Sequence, residues 1–161
     1  VLVPRHPERF DEVYSDCLEQ LPNNTNLVKH SQFDVFSESD KQNINVILGD
    51  SMGEMYFYLA LCDAAIVGGS FVPKGAHNIS EPLALGKPVI VGPHTWTIEF
   101  PIVEALAAGA AVQVPDGQRL SALFEADAIP SEQAASAFFE TQKGAVARTL
   151  AAIKSETQPP E

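Results

Sequence analysis

The sequence predicts an α/β protein built on a doubly wound parallel sheet of about six strands. Three observations lead to this fold class. Short apolar runs alternate with segments of helical periodicity, and the strand–helix order recurs along the chain. Most of the runs are continuously apolar, as in parallel strands that are covered on both faces. No internal repeat or linker divides the 161 residues, so a single domain over residues 1–161 is expected.

Each predicted strand is a run rich in Val, Ile, Leu or Ala next to turn-forming residues. VLV, NLVKH, INVIL, AAIV, PVIV and AVQV are the six runs, in chain order. The predicted strands cover residues 1–3, 26–30, 44–48, 64–67, 88–91 and 110–114.

The predicted helices follow the strands and end at recognisable stops. Gly86 precedes Pro88, and Gly109 closes an apolar segment, so both are expected C-terminal stops. The polar segment 31–43 is expected to be a surface loop. The predicted helices cover residues 8–20, 52–62, 79–85, 99–108, 117–126 and 132–154.

Composition excludes several classes of partner. The formal net charge is −11, which argues against a nucleic-acid ligand and against direct adsorption of this segment on anionic lipid. Cys17 and Cys62 lack C-x-x-C spacing, which fits a reducing compartment. No apolar run is long enough to span a bilayer, and no signal peptide is expected. Because the chain starts without Met on an apparent buried strand, we expect it to be part of a longer protein.

In a doubly wound sheet, ligands bind beyond the carboxyl ends of the strands, so the loops there are the candidate sites. After the first strand, Pro4 and Pro7 stiffen the turn that carries Arg5 and His6. The Arg5 guanidinium could hold a phosphate or carboxylate with paired donors. It could equally be a solvated charge, or a partner of a neighbouring acid such as Glu8.

After the third strand, the segment GDSMGEMYF contains the capping-box pattern Ser51-x-x-Glu54 at an expected helix start. Free N–H groups at such a terminus can bind an anion, or the pattern can be simple capping. A nucleophilic Ser51 is disfavoured because the G-x-S-x-G order is absent.

After the fourth strand, GGSFVPKGAHNISEP combines two paired glycines with a second capping-like pattern, Asn78-x-x-Glu81. Pro82 must lie in the first turn of the following helix, because deeper in a helix it would remove a needed donor. Two interpretations remain open. Asn78 and Glu81 cap the helix, or the Glu81 carboxylate accepts hydrogen bonds from a ligand diol such as a ribose.

Metal binding is not expected. The sequence has no D-x-D motif and no His/Cys ligand cluster. The four histidines, His6, His30, His77 and His94, are scattered along the first 94 residues.

The segments VPRHPERF and GDSMGEMYFYLALCDAAIVGGSFVPKGAHNISEPLALGKPVIVGPHTWTIEFP, in this order, resemble the C-terminal half of the 3-deoxy-D-manno-octulosonic acid (Kdo) transferases. The resemblance is strong over residues 1 to about 110. It implies one Rossmann-like half of a two-domain (GT-B) glycosyltransferase that transfers Kdo from CMP-Kdo to a lipid A precursor in lipopolysaccharide synthesis. It also implies a cytoplasmic location at the bacterial inner membrane for the full-length enzyme, with this domain soluble.

The resemblance also implies site residues for CMP-Kdo. It places no catalytic residue, metal or cofactor in this chain, since the catalytic carboxylate and the acceptor- and membrane-facing surface belong to an N-terminal domain. The implied CMP-Kdo-binding residues are Pro4, Arg5, Met52, Gly53, Glu54, Asn78, Ile79, Ser80 and Glu81, with His6, Gly68, Gly69, Ser70, Lys74 and His77 as further candidates on the same loops.

Two other functions stay open from the residues. The chain could be the donor domain of a GT-B enzyme that uses a UDP-sugar, because spacing does not reveal the base. It could also be a non-catalytic nucleotide-binding module, because no self-contained catalytic constellation is evident.

Overall fold

The computed structural model describes residues 1–35 and 37–157. These residues form two compact units, Val1–Cys62 and Asp63–Glu161, which we call unit 1 and unit 2 and describe separately. The single domain over residues 1–161 stays a prediction.

Unit 1 contains a pair of parallel strands with short helices around it. A 3₁₀ turn at Pro7–Arg9 leads into α1 (Phe10–Gln20), and a second one, His30–Val35, follows β1. Leu27 lies opposite Val46 in the pairing of the two strands, and Leu2 adds an isolated parallel bridge to Leu48. The remaining elements are β1 (Leu27–Lys29), α2 (Glu38–Lys41), β2 (Val46–Leu48) and α3 (Met55–Ala60).

Unit 2 contains a three-stranded parallel sheet in the order β3–β4–β5. Ala65 lies opposite Val89, which in turn lies opposite Ala111. The elements are β3 (Ala65–Val67), a 3₁₀ turn (Gly68–Phe71), α4 (Ser80–Ala84), β4 (Val89–Val91), a 3₁₀ turn (Trp96–Ile98), α5 (Glu99–Ala107), β5 (Ala111–Gln113), α6 (Gly117–Glu125), α7 (Glu132–Gln142) and α8 (Ala145–Thr157).

The core of unit 2 lies around its central strand. All three residues of β4 are fully buried, which explains why this run carries no polar residue. Helix α4 packs on α7, and Lys87 pairs with Glu132 at 2.5 Å where α4 ends. The buried core comprises Ala76, Ile79, Leu83, Val89, Val91, Ile98, Ile102, Ala105, Ala110, Ala111, Ala135 and Phe138.

The predicted α/β class and the parallel pairing are confirmed, but the single six-stranded sheet is not. Among the described residues there are five strands, in sheets of two and three. The expected strand at residues 1–3 is only the bridge at Leu2. Pro4 follows immediately and has no N–H to continue the ladder.

Two helix predictions also differ from the structure. The expected helix at 132–154 is two helices, because Lys143 is extended and Gly144 adopts a φ of +83° between α7 and α8. The expected loop at 31–43 contains part of a 3₁₀ turn and the short helix α2. Within the two described ranges, no helix combines the length and apolarity needed to cross a bilayer.

Candidate functional site

In unit 1, two of the predicted site segments leave the same edge of the parallel strands. Leu2 N–H donates to the Ile47 carbonyl at 2.8 Å, and Gly49 N–H donates to the Leu2 carbonyl at 2.8 Å. Because Leu2 runs parallel to Leu48, the segment Pro4–His6 and the turn that follows β2 emerge side by side. Within unit 1, two of the candidate loops therefore lie next to each other.

The first of these loops presents its polar side chains to solvent. Pro4 is half-buried, whereas Arg5 and His6 are exposed. Glu8, which the sequence offered as a partner for Arg5, lies near His6, with 3.9 Å between Glu8 Oε1 and His6 Nδ1. The loop thus follows the bridged residue Leu2, in place of the strand that the sequence predicted there.

The second loop is a sharp turn rather than a capping box. Gly53 has a φ of +82°, a left-handed conformation that interrupts any helix before it. Consequently α3 begins at Met55, and Glu54 occupies its N-cap without a side-chain capping bond. The capping-box prediction for Ser51 was wrong, since its hydroxyl donates to the Glu54 carboxylate instead. Met52, at the tip of the turn, is 67% exposed.

A polar cluster surrounds Glu54, and its other members were not predicted as site residues. The Tyr58 hydroxyl lies 2.9 Å from His30 Nδ1 and 2.5 Å from Ser51 Oγ. His30 Nδ1 lies 3.2 Å from Glu54 Oε2. We call His30, Ser51, Glu54 and Tyr58 the Glu54 cluster. Signals for it were present in the sequence, because His30 is the last residue of a predicted strand and Tyr58 lies one helical turn beyond Glu54.

Asp50 fixes the neighbouring strand end. Its carboxylate accepts hydrogen bonds from the Ser31 N–H at 2.8 Å and the Ser31 hydroxyl at 2.6 Å, which joins the segments after β1 and β2. Burial opposes ionisation of Asp50, but the hydrogen bonds from Ser31, the Asp50 backbone N–H and the charge of Lys29 together outweigh it, and the pKa of this carboxyl is lowered.

We expect Asp50→Asn to destabilise unit 1 at pH 7 by about 1–2 kcal/mol, because the hydrogen bonds to a charged acceptor are weakened. Because the pKa of Asp50 is lower in the folded state than in the unfolded chain, its ionisation stabilises the folded state. This stabilisation is complete above the ordinary aspartate pKa of about 3.9, and it is lost as the pH falls through the folded-state pKa. Hydrogen exchange of the unit 1 amides should therefore show a difference between wild type and variant at pH 7 that shrinks in acid. A difference that grows in acid would contradict the assignment.

In unit 2, Ser70 holds two loops together. It is fully buried, its hydroxyl donates to the Val67 carbonyl, and it accepts from the Gly92 N–H at 2.6 Å. The Ser70 carbonyl also accepts from the His94 N–H at 2.9 Å. These bonds give Ser70 a structural role in joining the loops that follow β3 and β4; its proposed ligand contact stays a prediction.

We expect Ser70→Ala to lower the free energy of unfolding of unit 2 by about 1–3 kcal/mol, because the Gly92 N–H would be left buried without an acceptor. Urea denaturation followed by circular dichroism measures this, with the exposed Ser121→Ala on α6 as the matched control. Equal urea midpoints for the two variants would show that the Ser70 hydroxyl does not stabilise unit 2.

The rest of the same loop carries glycines and two basic side chains. A Cβ on Gly69 would lie 2.8 Å from the Gly75 carbonyl oxygen, so this close approach requires glycine. Gly68 has open space around it. Lys74 and His77 are both exposed, and the His77 ring lies against Gly69. The loop thus exposes two basic side chains in an acidic protein.

The end of this loop forms the start of α4. The Asn78 side-chain oxygen accepts from the Ser80 N–H at 2.8 Å, and Ile79 is anchored in the core with no exposed surface. Helix α4 begins at Ser80, so Pro82 lies in its first turn, as predicted.

Glu81 is half-buried in that same first turn. Within the described part of the chain, its carboxylate accepts no hydrogen bond and forms no ion pair. Asn78, rather than Glu81, makes the side-chain bond that supports the helix start. Of the two open interpretations, this geometry favours a Glu81 carboxylate that is available to a ligand.

Comparisons with known proteins give a consistent result. No protein-family model matches the chain. The 3-deoxy-D-manno-octulosonic acid transferase of Bordetella pertussis is 39% identical over 96% of this chain and 36% of its own length. The transferase of the same description from Haemophilus influenzae is 46% identical over 60% of this chain and 21% of its own length. The chain therefore spans about a third or less of these curated relatives.

A solved structure matches over most of the chain. The crystal structure of the C-terminal CMP-Kdo binding domain of WaaA from Acinetobacter baumannii superimposes with a TM-score of 0.71 at 33% identity. The match covers 89% of this chain and 74% of that one.

Proposed function

Because the chain belongs to the 3-deoxy-D-manno-octulosonic acid transferase family, we propose that it is the donor-binding part of a glycosyltransferase that uses CMP-Kdo. The observation that carries this proposal is the match to a CMP-Kdo binding domain over 89% of the chain. The available Glu81 carboxylate at the start of α4 supports it, because a nucleotide ribose offers the diol that such a group binds.

The proposed reaction transfers Kdo to a hydroxyl of a lipid A precursor. The acceptor oxygen attacks the anomeric carbon of Kdo, the bond from that carbon to the phosphate oxygen breaks, and CMP leaves with the bonding electrons. A general base outside this chain takes the acceptor proton. The residues of this chain bind the donor and stabilise the negative charge on the departing phosphate.

The charges of the side chains on these loops suggest which part of the donor each one binds. We assign Glu81 to the ribose hydroxyls, and Arg5 and Lys74 to the phosphate. Both cations are exposed on post-strand loops. Among the described residues Lys74 has no hydrogen-bond or ion-pair partner for its ammonium group. We propose that donor binding needs no metal, because the ammonium group of Lys74 can neutralise charge on the phosphate.

The remaining features of the whole enzyme are part of the same proposal. The chain would form one half of a GT-B glycosyltransferase, and the rest of the protein would supply the catalytic carboxylate, the acceptor site and the contact with the cytoplasmic face of the inner membrane. The doubly wound six-stranded sheet stays a prediction for this half.

Calorimetric titration of the full-length protein with CMP and with UDP tests the proposal. We expect CMP to bind more tightly than UDP, and we expect EDTA to leave the CMP affinity unchanged. Tighter binding of UDP would favour a UDP-sugar enzyme. Absence of binding of either nucleotide at millimolar concentration would favour a non-catalytic interaction module that binds no nucleotide, and would overturn the proposal.

A further inference from the structure

The Glu54 carboxylate is held by one of its two oxygens. Ser51 donates to Oε2, His30 Nδ1 lies 3.2 Å from Oε2, and the Tyr58 hydroxyl lies 3.5 Å from Oε2. In the described ranges Oε1 takes part in no hydrogen bond or ion pair, and the side chain is 42% exposed. One oxygen is therefore held in place by the protein, and the other is available to a ligand.

The groups that hold Oε2 are themselves constrained. Tyr58 is only 3% exposed, and its ring lies so close to Gly49 that a Cβ there would approach the ring carbon Cζ to 2.8 Å. The His30 ring packs against the rings of Phe57 and Tyr58, with centroid separations of 5.2 and 5.3 Å. Burial raises the pKa of the Tyr58 hydroxyl, so this group stays a neutral phenol that can donate. These contacts limit rotation of the Glu54 side chain.

The chemistry of Oε1 restricts what part of a nucleotide-sugar can bind there. A carboxylate oxygen accepts hydrogen bonds and repels anions, so the phosphate and the carboxylate of an acidic sugar are excluded. Neutral donors remain, namely hydroxyl groups and the amino group of a base. Two apolar side chains of the same chain segment are exposed, Met52 at 67% and Phe57 at 48%. Exposed apolar side chains of this kind favour a planar base over a hydroxylated sugar.

We propose that Glu54 is a specificity-determining residue that accepts a hydrogen bond from the 4-amino group of cytosine. Ser51, His30 and Tyr58 are positioning residues that hold Oε2 and so direct Oε1 to the base. Uracil presents a carbonyl oxygen at the same ring position, so it would place an acceptor against an acceptor. The inference rests on the proposed function, since it assumes that the chain binds a CMP-based donor.

The test compares CMP and UMP affinities by calorimetry in the full-length protein. We expect wild type to prefer CMP by at least about tenfold and Glu54→Gln to reduce this ratio about tenfold, because an amide can also donate to uracil. The matched control is Glu19→Gln, an exposed carboxylate of α1 in the same unit, which should leave the ratio at its wild-type value. Tyr58→Phe should lower the ratio by a smaller factor, because Ser51 and His30 still hold Oε2.

The two proposals fail in different ways. If wild type binds CMP but Glu54→Gln weakens CMP and UMP by the same factor, Glu54 supports the fold and the inference is overturned while the proposed function stands. If wild type does not bind CMP, both are overturned. Should Glu54→Gln not fold, the Tyr58→Phe ratio decides, and a wild-type ratio there overturns the inference.

Discussion

Glu81→Ala should weaken CMP binding by about ten- to a hundredfold, the loss expected when a charged acceptor no longer binds the ribose hydroxyls, about 1.5–3 kcal/mol. The side chain is half-buried and has no hydrogen-bond or ion-pair partner within residues 1–35 and 37–157, so its removal breaks no internal bond of the protein. The start of α4 is supported by Asn78 and by the buried Ile79, so the fold should persist.

Calorimetry on the full-length protein measures this change. Glu125→Ala, which removes an exposed carboxylate from α6, is the matched control and should bind CMP as wild type does. A Glu81 variant with wild-type affinity for CMP would refute the ribose role. A variant that loses affinity together with its thermal unfolding transition would point to a structural role instead.

Leu83→Ala should lower the free energy of unfolding of unit 2 by about 2–5 kcal/mol, because it removes buried methyl groups and leaves a cavity. Leu83 is 1% exposed and belongs to the core that α4 forms with β4, α5 and α7. The effect should be large because β4 and Ile79, which are fully buried, leave little freedom for the site to collapse.

Trp96 reports this unfolding directly. It is the only tryptophan of the chain, lies in unit 2 and is 55% exposed. Urea denaturation followed by its fluorescence should give a lower midpoint for Leu83→Ala than for Leu85→Ala, a control at the end of the same helix whose side chain is 38% exposed. Similar urea midpoints for the two variants would mean that burial of Leu83 does not stabilise unit 2.

The elements that the sequence predicted well are those whose bounds depend on a few neighbouring residues. Runs rich in Val, Ile, Leu and Ala identified β1 to β5 to within two residues at each end, since such residues favour extended strands. Pro82 located the start of α4 because proline is tolerated only in the first turn of a helix. The two helix stops at Gly86 and Gly109 were also recognisable, and both glycines adopt positive φ.

The predictions that failed depended on choices between similar local patterns. Ser51-x-x-Glu54 and Asn78-x-x-Glu81 look alike in sequence, yet neither forms a capping box. Gly53 takes a left-handed conformation and turns Ser51 towards Glu54, whereas Asn78 bonds to the Ser80 N–H. Spacing cannot distinguish these outcomes, because the energies of competing side-chain bonds differ by little and tertiary contacts select between them.

The sequence alone determined the α/β class, the parallel strands and the loops in which ligand-binding groups occur, because periodicity, proline and glycine act over a few residues. Only the tertiary structure decided what each polar group in those loops does. It buried Ser70 between two loops, held one oxygen of Glu54 with residues up to 24 positions away in the chain, and left the Glu81 carboxylate without a protein partner among the described residues. The physical reason is that a hydrogen bond is decided by distance and direction in space, and packing of distant segments sets both.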